Sequence, residues 1–140
     1  MSVPAEYRDA IRFSFGDSPA LADELLGLVL AGKKTATCGT LSQFGPGGEP
    51  MPQVGRRDIL LDGAGRPAAV IETTEVTVKR FDEVDEQFAR DEGEGDGTLA
   101  YWRNAHETYF ARNGGFAPDM EVVCERFRLV QVLKRQDAKE

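Results

Sequence analysis

Apolar side chains recur at helical spacing early in the chain. Ser18 and Pro19 are typical of a helix start, a capping residue followed by proline at the first helical position. Gly32 fits the left-handed residue that commonly ends a helix. The apolar face between them consists of Leu21, Leu25, Leu28 and Val29. The pattern predicts an amphipathic helix whose buried face supports the residues that follow Gly32.

β-Branched composition or alternation predicts four strands in the rest of the chain. They cover 35–38, 59–61, 68–79 and 121–132, and the sequence at 62–65 is typical of a hairpin turn. In the last strand, two sets of side chains should face opposite sides of the sheet. One set is Val123, Glu125, Phe127 and Leu129, and the other is Cys124, Arg126 and Arg128.

Two further helices are predicted in the second half of the chain. A short acidic helix begins at Phe81, with Phe81, Val84 and Phe88 on one face, and a glycine-rich acidic loop, 90–97, follows it. Thr98 should cap the last helix, which ends at the glycines 114–115. The apolar or aromatic side of that helix contains Leu99, Trp102, His106, Tyr109 and Phe110.

Glycine and proline supply six of the nine residues 44–52, so this segment should be a loop. It is either a plain connector or the border of a binding pocket. Several strands interspersed with about three helices predict an α+β fold. A chain of 140 residues, 41% of them hydrophobic, can form one core, so we expect a single domain over residues 1–140.

The formal net charge is −7. A negative average field disfavours long nucleic acid, although a local basic patch could bind it and one nucleoside could enter a pocket. No apolar run approaches the roughly 20 residues of a membrane span, and the N-terminus lacks a signal-peptide pattern. We therefore expect a soluble cytoplasmic protein without a membrane partner. Cys38 and Cys124 match no metal-ligand spacing, and we predict neither a metal nor a cofactor.

The residues after Gly32 combine two lysines with two threonine hydroxyls. A tight corner between a helix and a strand can hold Lys34 and Thr37 close together and partly exposed. That arrangement would give a hydroxyl nucleophile beside an amine base. A lysine base must be neutral, so we expect partial burial and the neighbouring Lys33 to lower the pKa of Lys34. Cys38 is a rival nucleophile, but strand alternation favours core packing for it.

The segment 32–37, Gly-Lys-Lys-Thr-Ala-Thr, matches the Gly-x-Lys-x-x-Thr signature of the ASCH domain family. The chain resembles the longer bacterial members of that family over nearly its whole length, through further blocks at 52–55, 71–76, 81–84, 92–96 and 100–106. The resemblance implies one ASCH domain with a PUA-like small β-barrel and flanking helices. It also implies an association with RNA and nucleosides.

Some ASCH proteins are bacterial amidohydrolases that remove the acetyl group from N4-acetylcytidine with a catalytic Lys, Thr and Glu. The resemblance implies Thr37 as nucleophile, Lys34 as base and Glu92 as the acid that protonates the leaving nitrogen. Asp91 and Glu94 are alternatives to Glu92. Such an acid needs a raised pKa near neutrality. The plain alternatives are a helix-end lysine, an ordinary strand threonine and a solvated loop carboxylate.

A set of substrate-binding residues follows from the same resemblance. Tyr101, Trp102, Arg103 and His106 belong to the block 100–106, and aromatic stacking would suit a nucleobase. Lone histidines, however, are more often structural. Small family members often carry Arg two positions after the signature Thr, where this chain has Gly, so Arg103 is a candidate replacement. Lys33 or backbone N–H groups are candidate donors to the oxyanion.

Other functions stay open at this stage. Carboxylates at 92, 94 and 96 suggest a cation site, but the calcium-loop pattern is absent. A ribonuclease is one alternative, because some longer ASCH proteins have been described as cleaving RNA, and a non-catalytic RNA-binding adaptor is another. The sequence does not distinguish free nucleoside from modified RNA as substrate, and it gives neither the acyl preference nor the oligomeric state.

Overall fold

A computed structural model describes residues 3–45 and 47–133 of the protein. The strands are β1 (Arg12–Phe13), β2 (Ala36–Thr40), β3 (Arg57–Leu61), β4 (Pro67–Arg80) and β5 (Glu121–Val132). The α-helices are α1 (Pro19–Leu30), α2 (Glu86–Glu92) and α3 (Leu99–Arg112). Short 3₁₀ helices cover Ala5–Tyr7, Leu41–Gln43 and Phe81–Glu83. The four predicted strands are all present, and β1 is a short strand that the sequence pattern does not indicate.

The strands form one sheet in the order β1-β3-β4-β5-β2. Strand β1 runs parallel to β3, and every other pairing is antiparallel. Register shifts interrupt β4 at 70/71 and at 73/75, and such bulges bend a strand and increase its twist. The α+β prediction is confirmed. Within the described residues the edge strands β1 and β2 do not pair with each other, so the sheet is not closed into a barrel. The arrangement is nevertheless consistent with the barrel-like PUA fold.

Helix α1 begins and ends as the sequence predicts. Ser18 Oγ accepts a hydrogen bond from the backbone N–H of Leu21 at 3.1 Å, and Gly32 has φ 80°. Its buried side packs on the sheet in a cluster with Phe15, Leu60, Ile71 and Phe127. The helix therefore fixes the point at which the chain turns into β2.

A second buried cluster joins α2 and α3 to the other end of the sheet. Trp102, Phe110 and Phe88 pack there against Ala36 and Val122. Asp85 caps α2, since its Oδ1 accepts from the N–H of Phe88 at 2.9 Å. Thr98 caps α3 through the N–H of Tyr101 at 3.1 Å, as predicted.

The helix predicted to begin at Phe81 is wrong in its extent. A 3₁₀ turn, Phe81–Glu83, is separated from α2 by Val84, whose backbone is extended (φ −67°, ψ 133°). Phe81 and Val84 are both buried. The break between the 3₁₀ turn and α2 lets these two side chains pack while Asp85 starts a new helix. As a consequence α2 continues to Glu92, which is the last residue of a helix and not part of a loop.

The segment 44–52 is a loop, as predicted, apart from a single bridge between Phe44 and Glu49. Pro46 lies outside the described residues. In the part of the chain that the structure describes, no helix has both the length and the apolarity needed to cross a bilayer.

Candidate active site

A cavity of about 810 Å³ opens beside β2. Its walls come from the segment 11–16, α1, the loop 44–52, α3 and β5. The loop 44–52 therefore borders a pocket instead of being a plain connector. The cavity lining includes Lys34, Thr37, Glu92, Tyr101, His106 and Glu125.

The backbone after α1 turns Lys34 towards the protein interior. The N–H groups of Lys33 and Lys34 both donate to the carbonyl of Leu28, at 2.9 and 3.1 Å, which closes the end of the helix. Thr35 N–H then donates to the carbonyl of Asp91 at 2.8 Å. This last bond ties the corner to the end of α2, so the Lys34 side chain lies beside the residues that follow Asp91.

Lys34 is held between two carboxylates. Its Nζ lies 2.9 Å from Oε1 of Glu92 and 2.8 Å from Oε2 of Glu94. The side chains of Lys34 and Glu92 are each only 1% exposed, whereas that of Glu94 is 22% exposed. The Lys34 ammonium also lies 5.3 Å from the centre of the Phe15 ring. A buried charge of this kind is stable only with such close partners.

Gly93 permits the close approach of the two elements. Its φ of 73° ends α2, and a Cβ at this position would lie 2.1 Å from the carbonyl oxygen of Lys33. Any side chain there would push the end of α2 away from the corner. Gly93 therefore allows Glu92 and Glu94 to reach Lys34 from either side.

The other oxygen of Glu92 is bound by two residues of α3. Trp102 Nε1 donates to Oε2 at 2.8 Å, and His106 Nε2 lies 3.3 Å from the same atom. His106 Nδ1 lies 2.9 Å from the carbonyl of Trp102, which can only accept, so Nδ1 carries a proton. His106 can donate to Glu92 as well only in its protonated form. Glu92 is thus surrounded by donors.

These contacts overturn both predicted pKa directions. Burial alone would lower the pKa of Lys34, but Glu92 and Glu94 outweigh it and the pKa is raised. Burial would also raise the pKa of Glu92, but Lys34, His106 and Trp102 outweigh it and lower this pKa to about 2. For His106, burial lowers the pKa and Glu92 raises it by more. The resting site therefore holds an ammonium and a carboxylate, not a neutral base and a neutral acid.

Thr37 lies in the middle of β2, directly opposite Glu125 of β5. It lines the cavity, and its hydroxyl makes no hydrogen bond to any other described residue. A bound molecule can therefore approach the Thr37 hydroxyl without breaking an internal contact. Cys38 packs with Cys124 as expected, although it also borders the cavity, and burial raises the pKa of its thiol well above the usual value.

The structure places only some of the expected substrate-binding residues at the cavity. Tyr101 and His106 line the cavity. Lys33 and Arg103 are exposed and do not line it; the guanidinium of Arg103 donates instead to the carbonyl of Asp82 at 3.2 Å. Trp102 is buried against Phe81 and His106, with ring centres 5.1 and 4.3 Å apart, so it orients Glu92 and offers no face to a base. Sequence blocks do not reveal which side of a helix faces a cavity.

The acidic residues at 92, 94 and 96 do not form one cluster of carboxylates. Asp96 is exposed and accepts hydrogen bonds from the N–H and hydroxyl of Thr98, at 3.0 and 2.7 Å. Ligand atoms of Glu92, Glu94 and His106 lie within 4.8 Å of one another, a spacing that could hold a metal ion. The Lys34 ammonium, however, already occupies the cation position between the two glutamates.

Three polar groups of the cavity are absent from the sequence prediction or have only a minor place in it. Glu94, an alternative to Glu92 there, is a second partner of Lys34. Asp58 is buried and takes both of its hydrogen bonds from Arg56 at 2.9 Å. Glu125 lies on the cavity side of β5. The sequence did contain a signal for Glu125. The predicted alternation places this carboxylate on the same face of the strand as the apolar Val123 and Phe127, which is unusual for a group without a specific role.

Comparison with known proteins identifies the family. The ASCH domain profile matches residues 11–131, most of the chain. The chain belongs to the ASCH domain family. This ASCH domain is similar to the crystal structure of an ASCH domain from Lactobacillus crispatus JV V101, with 34% identity and a TM-score of 0.80 over 91% of this chain and 86% of that one.

Two further structures resemble this ASCH domain. A protein from Enterococcus faecalis V583 has 38% identity and a TM-score of 0.79 over 87% of this chain and 77% of that one. An ASCH protein from Zymomonas mobilis, with 12% identity and a TM-score of 0.58 over 90% and 70% of the two chains, shares the fold alone. No curated protein sequence matches the chain.

Proposed function

We propose that this ASCH domain is an amidohydrolase that removes the acyl group from N4-acylated cytidine or cytosine without a metal ion. The observation that carries the proposal is the buried pair of Lys34 and Glu92, 58 residues apart in sequence. The pair shares its cavity with Thr37, whose hydroxyl has no hydrogen-bond partner among the described residues. A nucleophile, a proton acceptor and a proton donor are the groups that acyl transfer requires.

The charges of the cavity favour an uncharged ligand. Six acidic residues line it, against the basic residues Arg12, Lys34, Arg56 and Arg112. Three of these cations are already paired, Lys34 with Glu92 and Glu94, Arg56 with Asp58, and Arg112 with Asp17. A phosphate chain would meet repulsion there, whereas a nucleobase would not. This argues for a nucleoside, or one modified base, and against the cleavage or binding of extended RNA.

The first half of the proposed reaction begins with a proton shift. Lys34 passes a proton to Glu92 across their 2.9 Å hydrogen bond, which leaves a neutral amine and a neutral carboxylic acid. A ligand that displaces water from the cavity favours this neutral form, because desolvation disfavours both charges. Thr37 then attacks the amide carbonyl carbon and gives its proton to Lys34. Glu92 protonates the exocyclic nitrogen as the carbon–nitrogen bond breaks, and the acyl group remains on Thr37.

Water completes the reaction by the reverse sequence. Glu92, again a carboxylate, takes a proton from the water that attacks the ester carbon. The oxygen of Thr37 leaves and recovers its proton from Lys34, and the carboxylic acid is released. Return of a proton from Glu92 to Lys34 restores the resting ion pair. The proton balance closes. The transfers between Lys34 and Glu92 use their existing 2.9 Å hydrogen bond, and those between Thr37 and Lys34 require the two side chains to approach each other within the cavity that both line.

The test is to incubate the purified protein with N4-acetylcytidine, with RNA that contains N4-acetylcytidine, and with unstructured RNA in the presence of EDTA. We expect acetate release from the first substrate, and comparison with the second shows whether the base is accepted as free nucleoside or within RNA. Cleavage of unstructured RNA without acetate release would replace the proposal with a ribonuclease. Binding without either reaction would indicate an RNA-binding module.

A further inference from the structure

Glu125 stands directly opposite Thr37 in the antiparallel pair β2–β5. Opposed residues project on the same face of a sheet, with Cβ atoms roughly 4.5–5.5 Å apart. Both side chains line the cavity. The carboxyl group of Glu125 therefore lies beside the proposed nucleophile on the same face of the sheet, and the reaction described above leaves it without a role.

One oxygen of Glu125 is fixed by the protein and the other is available. The hydroxyl of the buried Thr73 donates to Oε2 at 2.6 Å. Among the described residues Oε1 has no hydrogen-bond partner, and it is not a buried unsatisfied atom, so it keeps accessible surface on a side chain that lines the cavity. Because Oε2 accepts the hydrogen bond from Thr73, a proton on this carboxyl group would lie on Oε1.

The surroundings of Glu125 favour its neutral form. Burial raises its pKa most, and the nearby Asp58 raises it further. The hydrogen bond from Thr73 and the charge of Arg56 oppose this shift, but the net direction is upward. The other ionisable groups of this part of the cavity are Lys34 and Glu92, which form an ion pair, and Glu94 and His106, which lie 2.8 Å from Lys34 and 3.3 Å from Glu92 respectively. A bound base would displace water and increase the burial of Glu125.

We propose that Glu125, as a carboxylic acid, is the specificity-determining residue that recognises the ring nitrogen N3 and the exocyclic N4–H of an acylated cytosine. The proposal rests on the amidohydrolase function proposed above. A neutral carboxyl group has one O–H donor beside a carbonyl acceptor. In the complex, Oε1–H donates to N3, and Oε2 accepts from N4–H with its second lone pair while it keeps the bond from Thr73.

This recognition also explains why Thr37 and Glu125 are neighbours on adjacent strands. The carbonyl carbon that Thr37 attacks is bonded to N4, the atom whose hydrogen Glu125 accepts. Holding N4–H against Glu125 therefore brings the acyl carbon to the adjacent strand. Uracil and N2-acylated guanine have an N–H where cytosine has N3, so they would oppose the Glu125 proton. Adenine has the same pair of groups as cytosine, and Glu125 does not discriminate against it.

The experiment removes the two partners of the Glu125–N3 bond separately. N4-acetylcytidine is compared with its 3-deaza analogue, which replaces N3 by C–H, in the wild-type protein and in Glu125→Ala. We expect the wild type to prefer N4-acetylcytidine in kcat/KM by on the order of 10-fold or more, since the analogue leaves a donor unpaired. In Glu125→Ala the two substrates should react at nearly equal rates. Effects of the deaza substitution on leaving-group chemistry cancel in this comparison of ratios.

Glu125→Gln separates a neutral carboxyl group from a charged one. The amide has the same donor and acceptor without a proton that can dissociate. We expect it to keep the preference for N4-acetylcytidine over the 3-deaza analogue. In the wild type this preference should fall as pH rises through the pKa of Glu125, and in Glu125→Gln it should not change with pH. Glu121→Gln, an exposed carboxylate on the same strand, is the matched control and should behave as the wild type.

The outcomes separate this inference from the function on which it rests. If the wild type hydrolyses N4-acetylcytidine but Glu125→Ala keeps the full preference, the recognition by Glu125 is refuted and the amidohydrolase stands. If Glu125→Gln loses the preference as completely as Glu125→Ala, the carboxyl group acts as an anion and the inference is again wrong. Absence of any hydrolysis by the wild type overturns both proposals.

Discussion

Lys34 Nζ lies 2.9 Å from Oε1 of Glu92, and neither side chain is more than 1% exposed. A pair of this kind contributes little net stability when it replaces apolar packing, yet it is costly to break. Removal of one partner leaves an uncompensated buried charge, typically at a cost of about 3–5 kcal/mol. The site and the stability of the domain are therefore linked through the same two residues.

Lys34→Met should lower the free energy of unfolding by about 3–5 kcal/mol, because Glu92 and Glu94 lose their shared cation. Glu92→Gln should cost less, since Glu94 still pairs with Lys34. Urea denaturation measures both. Lys33→Met is the matched control, because its side chain is exposed, and it should change stability by about 0.5 kcal/mol or less. Equal unfolding midpoints for Lys34→Met and Lys33→Met would contradict the ion pair.

Acid should destabilise the wild type through Glu92. Its pKa is about 2 in the folded protein, below the ordinary 4.5, so the folded state binds fewer protons than the unfolded state. The stabilisation is fully present above pH 4.5 and is lost as pH falls towards 2. Unfolding followed between pH 2 and 6 should show a smaller pH dependence in Glu92→Gln than in the wild type. The exposed Glu107→Gln should keep the wild-type slope.

Much of this site could be predicted because its signals are local. Ser18, Pro19 and Gly32 define α1 and the corner through short-range rules, and the lysine and threonine of the signature lie within six residues. The pKa directions were wrong because they depend on contacts across the chain. Whether Glu92 points to solvent or to Lys34 is decided by the packing of Gly93 on Lys33, which no local pattern reveals.

The orientation of α3 is a second feature that could not be predicted from the sequence. Trp102 and His106 are four residues apart and share a face, but the sequence could not decide between a face towards a ligand and one towards Glu92. The break at Val84 could not be predicted for the same reason. Burial of Phe81 and Phe88 has a larger effect on the backbone than the helical pattern of the residues between them. Long-range packing, not local preference, fixes these features.

Chelation should leave activity unchanged. The Lys34 ammonium fills the cation position between Glu92 and Glu94, so a divalent ion would have to displace a buried cation. Acetate release from N4-acetylcytidine is measured before and after dialysis against EDTA. Loss of activity that a divalent ion restores would replace the Thr–Lys mechanism with a metal site formed by Glu92, Glu94 and His106.

Thr37→Ala should reduce kcat by about 10³-fold or more, because loss of a nucleophile removes the acyl-transfer step. Thr37→Ser keeps a hydroxyl and should retain measurable turnover, reduced by the loss of the methyl group that limits its rotamers. Thr35→Ala, two residues away and exposed, is the control and should remain active. Full activity in Thr37→Ala would show that water attacks the substrate directly.

Lys34→Arg tests whether Lys34 transfers a proton or only supplies charge. Arginine keeps a cation beside Glu92 and Glu94, so this variant should unfold closer to the wild type than Lys34→Ala does. Arginine cannot lose a proton in a protein, however, so it can neither neutralise Glu92 nor accept the proton of Thr37. We expect kcat to fall by about 10²–10⁴-fold, the usual contribution of a general base, in Lys34→Arg as in Lys34→Ala. Urea denaturation and steady-state kinetics on the same preparations give the two measurements. A folded Lys34→Arg protein with a near-normal rate would mean that the ammonium stabilises charge in the transition state, and the proton shift between Lys34 and Glu92 would then have no part in catalysis.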